Sequence, residues 1–332
     1  MSATSPFATA RLGRTDVHVT RLGLGTAPLG GWPAALSAGE AHDTVASAWA
    51  LGIRYFDTAP FYGHGLSEQH LASVLAAKDR SGFVLSTKVG RLLVRGDGGS
   101  ELFKGVPPLV PVLDYSGEGV LRSLRESLDR LELDRVDVVL IHDPDDHHEQ
   151  AVKESYPALA SLREEGRVGA IGVGMNWSEP LARFAREADF DCFLLAGRYT
   201  LLEQGALDDL LPAARDRGAS VIAGGVLNSG LLADPSPGAM YNYLPAPDDV
   251  LARARRLGDI CAEHAVPLRA AALQFPLAHP CVASVVVGSR SPQEVGDTVE
   301  MLGFPIPGAL WGRLVEEGLL REDAPLPEGD RG

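Results

Sequence analysis

Short apolar runs alternate with stretches whose apolar residues recur every three or four positions, and the alternation repeats along most of the chain. The runs are Leu22 to Gly25, Ile53 to Asp57, Phe83 to Lys88, Val136 to His142, Ala170 to Val173, Cys192 to Leu195, Ser220 to Ala223 and Val282 to Val287. Such continuous apolar character predicts strands buried on both faces, as in a parallel sheet covered by helices. The helical stretches are Gly39 to Leu51, Ser67 to Ala77 with Ser67 as its cap, Gly119 to Leu131, about Glu149 to Glu165, Pro180 to Ala188, Gln204 to Arg217, Asp248 to His264 and Leu268 to His279. Strands each followed by helix predict a (β/α)8 TIM barrel in one domain spanning 1–332. A doubly wound open sheet is the second choice, but the glycine fingerprint expected after its first strand is missing.

Other segments fit around that frame. Arg11 to Leu24 reads as an N-terminal hairpin turning at Gly13-Arg14-Thr15-Asp16, after a flexible leader of residues 1–10. Val89 to Ser116 and Gly224 to Pro247 are long insertions after strands, which places both on the C-terminal face where barrels build their sites. Pro307 to Leu320 predicts one more helix packed across the barrel, and the Pro/Gly-rich tail from Asp323 is expected to fray.

A net charge of −14 argues against nucleic acid or an anionic membrane as the main partner and reads as a solubility feature. Cys192, Cys261 and Cys281 have no metal or disulfide spacing and read as small buried apolar residues in a reducing compartment. With no apolar signal core and no run near the roughly 20 residues of a membrane span, the expected location is cytoplasmic. His147 and His148 beside Asp145-Asp146 read as a solvated helix start and not as metal ligands.

The candidate chemistry starts in Asp57-Thr58-Ala59-Pro60-Phe61-Tyr62-Gly63-His64-Gly65, where an acid ends a strand and a phenol follows in a stiffened, glycine-hinged loop. A phenol ionises near pH 10, so an acid–base near neutrality must come down by roughly 3 to 4 kcal/mol. An ammonium held by a carboxylate does this. Lysine occurs only four times among 30 basic residues, yet Lys88 closes an apolar strand, and His142 closes the next. Asp57, Tyr62, Lys88 and His142 thus come from neighbouring strand ends, about 4.8 Å apart, and can converge.

These residues, with Leu22-Gly23-Leu24-Gly25-Thr26, Ser86-Thr87-Lys88, Ile141-His142-Asp143 and Gly288-Ser289-Arg290-Ser291, make the chain resemble the aldo-keto reductase superfamily over nearly its whole length. Asp114-Tyr115-Ser116, Gly172-Val173-Gly174-Met175-Asn176 and Asn228-Ser229-Gly230 are similar to the branch of L-fucose and D-threo-aldose 1-dehydrogenases and pyridoxal 4-dehydrogenases. The resemblance implies hydride transfer between nicotinamide and a lactol or carbonyl carbon, with Tyr62 exchanging the proton. It implies a cofactor held by Gly25, Thr26, Asp57, Asn176, Gly224, Val226, Leu227, Asn228, Gly230, Gly288, Ser289, Arg290, Gln293, Glu294 and Thr298. The chain departs from the family's pattern at Gly174-Met175, Ala196-Gly197 and Gly224-Gly225, where relatives carry a serine, a glutamine and a ring. Glu294 stands where NADP users carry arginine, so the expected cofactor is NAD, although Arg290 pulls toward NADP. Trp32, Phe61, Tyr115 and Trp177 are the expected pocket walls. A general carbonyl reductase and a nucleotide-binding sensor subunit with vestigial chemistry are the competing readings.

Overall fold

This computed structural model describes residue 5, residues 7–97 and residues 99–328. The strands are β1 (Thr9–Arg11), β2 (His18–Thr20), β3 (Leu22–Gly25), β4 (Tyr55–Asp57), β5 (Val84–Val89), β6 (Arg91–Arg95), β7 (Leu109–Leu113), β8 (Val138–His142), β9 (Ala170–Met175), β10 (Cys192–Ala196), β11 (Ser220–Gly224), β12 (Met240–Tyr241), β13 (Leu244–Pro245) and β14 (Val282–Gly288). Eight of them, β3, β4, β5, β8, β9, β10, β11 and β14, pair in parallel and close into a barrel as the alternation predicts.

Both strand faces are buried, but against different partners. Val138 and Leu140 join Tyr55, Cys192, Leu194 and Ile222 in an inner core, while Val139 and Ile141 pack outward against the helices. Leu12 and Val19 from the β1–β2 hairpin belong to the inner core and close the end of the barrel opposite the C-terminal mouth. The N-terminal hairpin is therefore a plug.

Ser116 caps the helix Gly117–Leu131, accepting from the Gly119 amide at 2.9 Å. Buried Glu68 sits in the first turn of the helix Leu66–Leu75, accepts from Thr87 Oγ1 of β5 at 2.8 Å, and pairs with Arg130 at 2.6 Å. One carboxylate thus ties two helices and a strand together. Cys192, Cys261 and Cys281 are buried and unpaired.

Several expectations need correction. Ser67 does not cap its helix: Gly65 holds the cap position, and the Ser67 hydroxyl turns inward to Thr26 O at 2.9 Å. The leader is shorter than expected because Thr9 and Ala10 pair in β1; residues 1–4 and 6 lie outside the described residues. The stretch from Glu149 is interrupted by a π-helical turn over Ala151–Ser155 before the α-helix Tyr156–Glu164. The last helix, Gly308–Glu316, forms within the expected stretch and packs beside Asp248–Glu263, with Trp311 near Phe275. Asp323 pairs with Arg321 at 2.8 Å and Ala324 is buried, so the tail is held that far, and residues 329–332 lie outside the described residues. The two insertions each fold as an antiparallel hairpin, β6 with β7 and β12 with β13.

Candidate active site

Period-two alternation decides which strand residues meet at the mouth. On β4 it turns Tyr55 and Asp57 inward, on β5 Ser86 and Lys88, and on β8 Val138, Leu140 and His142. Asp57, Lys88 and His142 lie at or next to the ends of their strands, so their side chains gather at the C-terminal opening. Tyr62 reaches them from the loop after β4, which Gly63 and Gly65 bend back with φ of 63° and 94°.

Lys88 Nζ joins the group. It donates to Asp57 Oδ2 at 2.7 Å, to Thr58 O at 2.9 Å and to Tyr62 Oη at 3.0 Å. Ser86 Oγ donates to the other Asp57 oxygen at 2.7 Å. An ammonium only 1% exposed keeps its charge because Asp57 is beside it. Burial works against that charge, but Asp57 and Tyr62 more than offset it and raise Lys88 above the ordinary lysine range. The Tyr62 phenol differs from expectation: burial pushes it up to about 12, with Lys88 opposing and Asp57 reinforcing the rise. The lysine tempers the phenol without bringing it below its ordinary value. Burial, with Arg91 and Lys88 nearby, pushes His142 well below the usual histidine range, so the imidazole is neutral at pH 7. Its ring stands edge-on to Tyr62, with centroids 5.8 Å apart.

Beside His142, Asp143 takes a left-handed backbone (φ 45°) and pairs with Arg91 at 2.9 Å. Tyr115, expected as a pocket wall, lies behind this pair. It is buried, and its hydroxyl lies 2.6 Å from His142 O and 2.7 Å from Asp143 O, so the phenol props the segment from outside the pocket. Trp177 is not a wall either; it is 54% exposed and carries the Arg198 guanidinium 4.3 Å over its ring. Trp32 and Phe61 do line the pocket. Leu102, Phe103, Met175, Asn242 and Tyr243 line it too, and were missed. Phe103 and Tyr243 come from the two insertions, so the aromatic residues within those segments were the available signal. Tyr243 meets Trp32 edge-on at 5.4 Å.

Gly25, Thr26, Asn176, Gly224, Asn228 and Gly288 line the same pocket. They stand beside Asp57, Tyr62, Lys88 and His142 in one cleft. Gly225 (φ 60°) is exposed at the pocket, and a Cβ there would come 3.0 Å from the Gly197 amide, so the turn has no room for a side chain on that side. Asn228 Oδ1 is buried with no partner among the described residues, an acceptor left for a ligand. Val226 is buried behind the wall, Leu227 packs on the core, and Gly230 ends the following turn, so these three do not line the pocket. Ser289, Arg290, Gln293, Glu294 and Thr298 also lie beyond it, around the start of the helix Pro292–Leu302. Ser291 caps that helix at 3.2 Å. Arg290 donates to the carbonyls of Trp32 and Ala34 at 2.5 and 2.9 Å, and its amide donates to Glu294 at 2.7 Å. Thr298 Oγ1 donates to Glu294 O at 2.8 Å. His148 Nε2 contacts Glu187 at 2.7 Å, a surface pairing away from the mouth.

A lysine-linked phenol and carboxylate at the mouth of a (β/α)8 barrel, beside a glycine-lined cleft, match the class of barrel oxidoreductases that move a proton at the protein and a hydride at a bound cofactor. The chain belongs to the Aldo/keto reductase family, whose model matches residues 21–316. It is 42% identical over 330 residues to a D-threo-aldose 1-dehydrogenase of Pseudomonas sp, covering 96% of this chain and 99% of that one. It is 41% identical over 333 residues to the pyridoxal 4-dehydrogenase of Microbacterium luteolum, covering 93% and 97%. An aldo-keto reductase from Bacillus halodurans, solved in its holo form, superposes with a TM-score of 0.74 at 26% identity, covering 94% and 96%. The protein is an oxidoreductase that uses a nicotinamide cofactor on small molecules. Among the described residues no helix is long and apolar enough to cross a membrane.

Proposed function

We propose that the protein oxidises the cyclic hemiacetal of an aldose, a lactol, to its lactone, with Tyr62 as general acid–base. The observation that carries this reading is the Lys88 ammonium, which contacts the Asp57 carboxylate and the Tyr62 hydroxyl at once inside the pocket. Tyr62, as phenolate, takes the proton of the anomeric hydroxyl, and Lys88 stabilises the charge it carries beforehand. An anomeric hydroxyl is more acidic than an ordinary alcohol, which narrows the gap the base must bridge. Neutral His142 hydrogen-bonds the same oxygen, and Asp57 holds Lys88 charged. Bound nicotinamide supplies the hydride acceptor.

Gly25, Thr26, Asn176, Gly224, Asn228 and Gly288 are the residues that would hold the cofactor in the pocket, with Val226, Leu227 and Gly230 backing them. Ser289, Gln293, Glu294 and Thr298 would face its adenosine end. Two features favour NAD over NADP: the Arg290 guanidinium is engaged by the Trp32 and Ala34 carbonyls, and the exposed Glu294 carboxylate would repel a 2′-phosphate. Trp32 and Phe61 would flank the substrate.

One observation favours a second reading, carbonyl reduction. A phenol pushed up to about 12 is protonated at neutral pH, the form that donates to a carbonyl. The deciding assay follows reduced nicotinamide with NAD and NADP in parallel against L-fucose, L-galactose, D-arabinose and pyridoxal, and NADH and NADPH against simple aldehydes. Oxidation of a sugar with NAD preferred is expected. Oxidation of pyridoxal alone would move the substrate to the second relative's, and consumption of NADPH by aldehydes with no oxidation would overturn the dehydrogenase reading.

A further inference from the structure

We infer that Asp143, held by Arg91, accepts a hydrogen bond from a substrate hydroxyl next to the reacting carbon, and so selects hydroxylated substrates over their deoxy counterparts. The inference rests on the reading of the pocket as a substrate site for an oxidoreductase.

Asp143 is held from all sides. Its amide donates to Gly174 O at 2.9 Å, its carbonyl lies 2.7 Å from the Tyr115 hydroxyl, and its φ of 45° is a conformation that non-glycine residues seldom adopt. Asp143 lines the pocket together with Tyr62 and His142. Of its two carboxylate oxygens, Oδ2 takes the Arg91 Nη2 donor at 2.9 Å and lies 3.5 Å from His142 Nε2. Among the described residues nothing donates to Oδ1. The side chain is a quarter exposed, so Oδ1 is an acceptor open to the pocket, where a ligand hydroxyl can take the place of water.

Arg91 fixes the acid and the wall together, since its guanidinium lies 4.4 Å over the Phe61 ring while it grips Asp143. Asp143 follows His142 directly, and His142 stands against Tyr62, so a substrate oxygen reached by Asp143 sits close to the one that exchanges its proton. A plain aldehyde or alcohol offers Oδ1 nothing; a neighbouring hydroxyl does. Arg91 is a positioning residue here, acting through the carboxylate.

An alternative role would have Asp143 only orient the His142 ring. That role affects every substrate alike, which gives the test its contrast. kcat/KM is measured for L-fucose against 2-deoxy-L-fucose in oxidation, and for 2-hydroxypropanal against propanal in reduction, in the wild type, Asp143→Asn, Asp143→Ala and Arg91→Met. Asparagine tolerates the left-handed backbone, so that variant guards against a folding defect in the alanine one, with the circular dichroism of each as control. The wild type is expected to favour the hydroxylated member of each pair by about 100-fold, the upper worth of one hydrogen bond to a charged group. Asp143→Asn should narrow the ratio about tenfold, Asp143→Ala should remove it, and Arg91→Met should narrow it, with the loss on the hydroxylated member. Equal losses on both members, or a ratio unchanged by substitution, would overturn the inference. Were no sugar oxidised, the dehydrogenase reading would fall while the aldehyde pair still decided the role of Asp143.

Discussion

Lys88 and Tyr62 oppose each other at the pocket floor. The ammonium is raised and stays charged, while burial lifts the phenol to about 12 despite it. The acid form of Tyr62 therefore dominates at every pH below about 12, and its base form is scarce at neutrality. Oxidation needs the base form, so its kcat/KM should rise with pH across the neutral and alkaline range, approaching tenfold per unit where proton transfer limits. Reduction needs the acid form and should stay flat there. A pH series in both directions checks the pair of slopes, and a flat oxidation profile would mean that another group takes the proton. Tyr62→Phe keeps the ring and removes the proton carrier, so turnover should drop by about a thousandfold with the far-ultraviolet circular dichroism unchanged. The places of Asp57, Lys88 and His142 were legible in the sequence because alternation and strand ends fix where they point, and that of Tyr62 because two glycines bend its loop back. Tyr115 and Trp177 were not. Nothing in a run of residues tells whether a ring after a turn faces the mouth, as Phe61 does, or props the strand from behind, as Tyr115 does.

Among the elements, the junction of Leu66–Leu75, Gly117–Leu131 and β5 depends on Glu68. Its carboxylate is fully buried, and Arg130 and Thr87 rely on it. Glu68→Ala would leave a guanidinium and a hydroxyl without their acceptor and should cost about 3 kcal/mol in urea unfolding. A loss under 1 kcal/mol would mean that water replaces the carboxylate. Thr87 lies one residue before Lys88, so activity should fall along with stability. The barrel elements could be read from periodicity, since buried parallel strands and amphipathic helices each imprint their own repeat. The second insertion resisted, because β12 and β13 are two residues each and carry no period to read. The π-helical turn at Ala151–Ser155 escaped for a similar reason: one inserted residue shifts the helical phase without interrupting its apolar character.

For the molecule as a whole, buried neutral histidines set an acid limit. Burial, with Arg215 adding to it, lowers His279 to about 4, and its Nδ1 accepts from the Cys281 amide at 3.2 Å. The unfolded chain binds that proton near pH 6.5, so stability is full above this value and falls as pH drops toward about 4, where the folded state also takes the proton. His142 and His70 are lowered too and act in the same direction. Melting temperatures from pH 7 to 4 should decline, and those of His279→Asn should decline less; identical slopes would remove His279 from the account. The closed barrel has a further consequence. The groups proposed to handle the proton sit on β4, β5, β8 and the loop after β4, while Phe103 and Tyr243 are lent by two hairpins outside the barrel ladder. Inheritance of chemistry and inheritance of taste are therefore separable here: a lineage can rewrite either hairpin, in length or in lettering, and try new diets without risking the reaction it already performs.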